Sequence, residues 1–432
     1  MLHFLDQFNA VIGVLLFSAY LYQVFYTLYG LVVCPRDRRK AKRPNSTPSR
    51  RYAALICARN EEHVIGELVA SLRAQDYPAE LLDIYVLADN STDGTARAAR
   101  QAGATVFERF NPHQVGKGYA LDELISCIRM HRPLSDYDAF LVFDADNIVD
   151  PHFVSAMDQT FAQGCDVLTS YRNSKNFASS WISASYSIWF LREARFLNYP
   201  RMKLHTNCAI SGTGFLVSSK IIEENGGWPY HLLTEDIQFS AVCAANGWRI
   251  GYCDDAIVYD EQPVTFAQSW RQRMRWAKGF YQVFFTYGKH LVKSTFRYHR
   301  FAAYDMFMTI APGMLLSLIS MLANATFLVV GGLSHGFLAT EVEMQACAAS
   351  LIMTFAMMYQ TFFILALLTT IFEYKHIHCA QKWRLVTNLF TFPIFMFSYI
   401  PITVAALFLK VDWVPTQHAV SVTLDEVMQG AK

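Results

Sequence analysis

Residues 52–75 read YAALICARNEEHVIGELVASLRAQ. The first seven carry no charge and no polar alternation, as expected of a strand buried on both faces. From Asn60 the period changes. Val64, Ile65, Leu68, Val69 and Leu72 recur at helical spacing, which predicts an amphipathic helix over NEEHVIGELVASLRAQ. The cycle then repeats. LDIYVLA (82–88) reads as a strand, STDGTARAARQAG (91–103) as a helix and ATVFERF (104–110) as a strand. GKGYALDELISCI (116–128) reads as a helix and DAFLVFDA (138–145) as a strand. Strands alternating with helices, with polar or acidic residues at the strand ends, predict an α/β domain on a mainly parallel sheet. Ligands bind such sheets beyond the strand C-termini.

The 432 residues are 53% hydrophobic and only 17% charged, which suits a membrane protein carrying a sizeable soluble domain. A net charge of +1 gives no global field for nucleic acid, and none is expected as a partner. The nine cysteines form no CxxC pair, so reduced buried thiols are expected rather than disulfides or a zinc site. Thirteen histidines show no metal-ligand spacing.

Ala10 to Val33 is apolar, uncharged and long enough to span a bilayer. It lacks a cationic start and a cleavage site, unlike a removed signal peptide. PRDRRKAKRPNSTPSRR (35–51) follows, and cations just past a span mark the cytoplasmic side. The middle of the chain is therefore expected in the cytosol. Further spans are expected at about Thr309–Gly332, Cys347–Phe372 and Leu385–Leu409, with Pro312 interrupting the first run. The basic connection EYKHIHCAQKWR lies inside, SHGFLATEVEMQ without Lys or Arg lies outside, and counting crossings puts the tail outside. The expected divisions are an N-terminal span (1–33), a basic linker (34–51), an α/β domain (52–293), a C-terminal membrane region of about three spans (294–411) and a tail (412–432).

Four stretches carry chemistry. ADNSTDGT places Asp89 where a strand meets a loop, able to accept hydrogen bonds from a ribose or base, although this run is equally an ordinary turn and helix cap. LVFDADNIVD delivers Asp144 and Asp146 to one side of a strand end. Two adjacent carboxylates repel unless a cation separates them, and Mg2+ or Mn2+ on a diphosphate is the natural partner. LLTEDIQFS offers Glu235 and Asp236, either as a helix cap or as a general base. In QSWRQRMRWAKGF (268–280), Gln272, Arg275 and Trp276 share a helix face. Arg275 can bind phosphate bidentately and Trp276 offers a ring for a sugar face, yet the same stretch reads as a membrane-surface helix. Trp270, Met274 and Phe284 are the side chains expected to rest on lipid. Lys117 in GKG brings a cation near phosphate, and Gly212, Thr213 and Gly214 in SGTGF form a loop open to close ligand approach.

The ordered set NEE, DNSTDGT, GKGYAL, DAD, SGTG, TED and QRMRW, followed by spans, resembles the family-2 inverting glycosyltransferases of the processive, membrane-embedded kind. The likeness covers roughly Arg51 to Phe284. TED with SGTGF and RQRMRW looks nearer the bacterial poly-N-acetylglucosamine and glucan synthases. The resemblance implies a GT-A fold, a UDP-sugar donor and a Mg2+ or Mn2+ cofactor. It implies Asp89 at uridine, with Cys57, Ala58 and Glu61 lining the nucleotide pocket and Lys117 near it. Asp144 and Asp146 would handle diphosphate and metal, Asp146 more directly. Asp236 would be the base beside Glu235, Gln272 and Arg275 would hold pyrophosphate, and Trp276 would meet the acceptor near Gly212, Thr213 and Gly214. A multi-pass protein of the bacterial cell membrane is implied, with its catalytic domain cytosolic and accessory export or regulatory subunits as further partners. The expected reaction extends a β-linked polysaccharide and translocates it. The alternative is single addition to a diacylglycerol, ceramide or polyprenyl lipid.

Overall fold

A computed structural model describes residues 2–34, 49–311, 313–333, 340–413 and 422–429. Most of the basic linker, Pro312 and much of the tail lie outside the described residues. Eight strands form one sheet: β1 (Tyr52–Ala58), β2 (Leu82–Asp89), β3 (Thr105–Arg109), β4 (Ala139–Asp144), β5 (Ile148–Val149), β6 (Val167–Ser174), β7 (Phe215–Ser218) and β8 (Ile250–Asp260). Their order is β3-β2-β1-β4-β7-β6-β8-β5. β1, β2, β3 and β4 pair in parallel. β7 is antiparallel to both β4 and β6, so β6 and its parallel neighbour β8 run with β4. Only β5 and β7 are reversed. Six strands thus end on one edge, at Ala58, Asp89, Arg109, Asp144, Ser174 and Asp260. This mainly parallel, Rossmann-like architecture is the expected GT-A fold.

The predicted strands are buried because both sheet faces are covered. Ala54, Ile56, Leu141 and Phe143 pack toward the helix Ile65–Arg73, whose Ile65, Leu68, Val69 and Leu72 are buried. Leu55, Phe140 and Val142 pack on the other face with Leu121, Leu124 and Ile125 of the helix Lys117–His131.

The helix carrying QSWRQRMRWAKGF runs unbroken from Phe266 to Tyr298, capped by the Thr265 side chain accepting from the Gln268 N–H. Its Met274 is buried with Tyr281, Ile402 and Ala406, and Trp270 packs on that cluster. Phe284 packs on Phe307. Met274 is therefore covered by protein, and Trp270 and Phe284 are partly so, because an amphipathic pattern records only that an apolar face is covered.

Among the described residues, three helices are long and apolar enough to cross a membrane: Gln7–Val32, Glu341–Phe372 and the bent pair Lys382–Phe408. The run after Phe301 divides into Phe301–Ile310 and Gly313–Leu333 around the proline. The tail departs from the crossing count. Glu373, at the end of the helix Glu341–Phe372, is buried against the α/β domain, pairing with Arg195 at 2.8 Å and accepting from Tyr171 Oη at 2.6 Å. Beyond it, Arg384 donates to Ala178 O, Lys278 donates to Ala406 O, and the Arg59 guanidinium lies over the Trp413 ring. The short helix Leu424–Gln429 buries Val427 against Ile148 and Tyr259. The described part of the tail thus packs against the α/β domain, whereas the crossing count puts it on the other side.

Candidate active site

The strand ends and the loops after them bring most of the singled-out residues together. Cys57 is in register with Asp144 across β1 and β4. Burial pushes its thiol pKa upward despite the nearby Lys117, which favours the neutral thiol. The NEE and DNSTDGT loops interlock. Asn60, at positive φ, accepts from the Thr92 N–H at 2.8 Å, and the Glu61 N–H donates to Thr95 Oγ1 at 2.8 Å. Asp89 is buried and accepts from Arg109 Nη1 at 2.7 Å and Asn90 Nδ2 at 2.9 Å. Arg109 sits opposite Asp89 in the β2–β3 register and also donates to the main chain of Gln114.

Lys117 is the junction of the site. Its Nζ pairs with Asp144 and donates to Gly212 O at 2.7 Å. Burial pulls its pKa down, but Asp144 and Glu235 more than offset this and hold it charged. The flanking glycine is sterically required: a Cβ on Gly118 would lie 1.9 Å from Tyr230 O.

β4 ends at Asp144, and the following turn carries Asp146 inward, so the two acids are not equivalent. The Asp144 side chain is 36% exposed, whereas Asp146 is 4% exposed and accepts from the Glu261 N–H at 3.3 Å. Asn147 ties this turn to its surroundings. Its Nδ2 donates to Asp260 at 3.2 Å, and its Oδ1 accepts from the Thr213 hydroxyl. Thr213 Oγ1 in turn accepts from the Asp144 N–H at 2.9 Å. Arg172 forks onto Asp260, donates to Ser211 O at 2.6 Å and stacks 3.9 Å above the Phe190 ring. The acidic turn and the SGTG loop are thus one hydrogen-bonded unit. Arg109, Asn147, Arg172 and Asp260 had no signal in the sequence, because their partners are brought together only by strand pairing.

Glu235 and Asp236 open the helix Glu235–Asn246. Burial, reinforced by Asp236, raises the Glu235 pKa to about 7, with Lys117 opposing. Burial also raises that of Asp236, against the Ile237 N–H, Lys117 and Arg172. A carboxyl that titrates near neutrality can take a proton from a hydroxyl. Asp236 abuts the SGTG loop, since a Cβ on Gly212 would sit 3.4 Å from its Oδ2. The long helix closes on this turn from the other side: a Cβ on Gly279 would fall 2.5 Å from the Thr234 side chain.

Gln272 and Arg275 hydrogen-bond to none of these carboxylates among the described residues. Gln272 Oε1 is buried without a hydrogen-bond partner among them, and Arg275 has no acid partner there, leaving both polar heads free for a ligand. Trp276 meets Tyr186 edge-on at 5.7 Å and Phe190 at 6.4 Å, within a cluster that includes Phe363 and Phe395 of the membrane-flanking helices. No group of three or more metal-ligating side chains occurs among the described residues. The two hard oxygen donors Asp144 and Asp146 do fit a divalent cation that draws the rest of its shell from phosphate and water.

Comparison with known proteins bears on the family and the fold. A family model described as glycosyltransferase like family 2 matches residues 48–279. The chain is 26% identical over 249 residues to the beta-monoglucosyldiacylglycerol synthase of Synechocystis, covering 56% of this chain and 50% of that one. It is 26% identical over 234 residues to the poly-beta-1,6-N-acetyl-D-glucosamine synthase of Staphylococcus aureus, covering 53% and 54%. The chain spans about half the length of the curated relatives it matches. In fold it is similar to the mannosyltransferase PcManGT of Pyrobaculum calidifontis, solved with GDP-Man and Mn2+, at a TM-score of 0.51 and 17% identity over 81% of this chain and 99% of that one.

Proposed function

This chain belongs to glycosyltransferase like family 2, and from that membership we propose that it transfers a hexose or N-acetylhexosamine, with inversion, from a UDP-sugar to an acceptor held at the membrane. One observation carries the reading: Lys117 joins Asp144 to Gly212, and Gly212 abuts Asp236. A diphosphate site and a proton acceptor thereby share one loop. In this reading Cys57, Ala58, Glu61 and Asp89 line the nucleotide pocket, with Lys117 and Asp144 at the diphosphate. Mg2+ or Mn2+ would be held by Asp144 and Asp146, and when bound would offset charge on the diphosphate. Gln272 and Arg275 hold the pyrophosphate from the opposite side. Asp236, tuned by Glu235, takes the acceptor hydroxyl proton. The new bond joins that oxygen to the anomeric carbon as the bond to the diphosphate breaks, and UDP leaves with the electron pair. Gly212, Thr213, Gly214 and Trp276 form the acceptor side.

A lipid acceptor is the first reading. The apolar cluster around Trp276 is continuous with the membrane-flanking helices, and a relative makes a glucosyldiacylglycerol. Extension of a β-linked polysaccharide is the second, supported by the poly-N-acetylglucosamine synthase relative. Incubating the full chain with radiolabelled UDP-glucose or UDP-N-acetylglucosamine in membranes separates them. One chloroform-soluble product supports the first reading and a ladder or polymer the second, while absence of any UDP-sugar turnover overturns both.

A further inference from the structure

From Gln262 to Tyr304 the chain contains no Asp or Glu but carries Arg271, Arg273, Arg275, Lys278, Lys289, Lys293, Arg297 and Arg300. In the first half of the helix Phe266–Tyr298, Arg273 and Lys278 bond within the protein. The second half is two-faced. Val283 and Leu291 are buried against Ile237, Ala241, Ala303 and Met306, and Ser294 donates to Ala245 O at 3.0 Å. Phe285 and Phe296 point the other way, 73% and 75% exposed, with Val292 between them at 38%. At helical spacing these three form a stripe. Lys289, Lys293 and Arg297, all exposed, run along one side of it. None pairs with an acid among the described residues.

We propose that this face lies in the headgroup layer of the bilayer and selects anionic phospholipids. The inference rests on the membrane reading of the apolar helices, not on the choice of donor or acceptor. Continuity places the face there. The helix Phe301–Ile310 begins three residues after Tyr298 and is tied to the N-terminal span, Tyr304 Oη donating to Ala19 O at 2.8 Å and Tyr22 Oη to Asp305 at 3.0 Å. Aromatic rings settle at headgroup depth, and long cationic side chains bury their stems while presenting charge to phosphate. An acid-free stretch adds no repulsion toward an anionic surface. Water would leave three large apolar side chains exposed beside uncompensated cations, and a neutral headgroup layer would leave the cations unanswered.

The test uses the full chain in lipid nanodiscs. The emission added by Phe296→Trp is followed with dibrominated acyl chains, bromine being carried either on phosphatidylglycerol or on phosphatidylcholine at equal mole fraction. The added emission is expected to be quenched in both, and at least twofold more strongly by brominated phosphatidylglycerol. Adding Lys289→Gln, Lys293→Gln and Arg297→Gln, all at exposed positions, is expected to abolish that preference while quenching persists. Unquenched emission from incorporated protein, equal quenching by the two lipids, or a preference surviving the triple substitution would each overturn the proposal. Failure of the chain to enter nanodiscs would instead remove the membrane reading beneath it.

Discussion

Arg273 Nη1 donates to Ser398 Oγ at 2.6 Å and to the Phe395 carbonyl at 3.1 Å. The guanidinium is fully buried, stacked over Phe395 at 4.2 Å and Tyr399 at 4.9 Å. It fastens the break in the Lys382–Phe408 pair to the helix bearing Gln272, Arg275 and Trp276. Arg273→Ala should cost about 2–4 kcal/mol, from lost packing and orphaned buried acceptors. Thermal unfolding in detergent measures this. Arg273→Lys should recover little, because an ammonium reproduces neither the fork nor the stacking.

Asp236→Asn should lower transfer by about 100-fold or more, the range for losing a general base. UDP binding, measured calorimetrically, should be largely retained, since this carboxylate serves the acceptor. Full activity would exclude Asp236 as the base.

The pH profile should show an acid limb above the ordinary carboxylate range, because burial raises both Glu235, to about 7, and the neighbouring Asp236. Glu235→Gln removes the neighbouring negative charge and should move the limb to lower pH. The sign for stability is opposite to that of an ordinary ion-paired carboxylate. The folded protein binds these protons more tightly than the unfolded chain, so the Glu235 contribution is greatest below about pH 4.5 and is lost as pH rises through about 7, and that of Asp236 has the same sign.

Gly279→Ala should impair turnover while leaving the fold in place. Its new methyl meets Thr234, the residue before Glu235, and displacing that turn shifts both carboxyls. Gly118→Ala should act on stability instead, by about 1–3 kcal/mol, because it meets the Tyr230 carbonyl, a rigid backbone atom. Comparing kcat with melting temperature separates the two.

Trp276→Ala should reduce acceptor use more than UDP-sugar hydrolysis. Equal losses would assign the ring to packing against Tyr186 and Phe190 alone.

The parallel half of the sheet was legible because doubly covered strands leave uninterrupted apolar runs such as YAALICA and AFLVF. Asp89 and Asp144 were legible because each closes such a run. The Arg109–Asp89 and Arg172–Asp260 pairs were not, since each joins residues on different strands and neither member is unusual in its own segment. The inward turn of Asp146 was hidden because strict alternation assumes that the strand continues. The covering of Met274 by Ile402 was hidden because lipid and protein select the same side chains for an apolar face.

The contacts of Glu373 and Val427 with the catalytic domain impose a parity on the membrane region. Whatever crosses between Tyr298 and Leu424 must cross an even number of times. Among the described residues of that interval, the helices long and apolar enough to cross are Glu341–Phe372 and Lys382–Phe408, an even number.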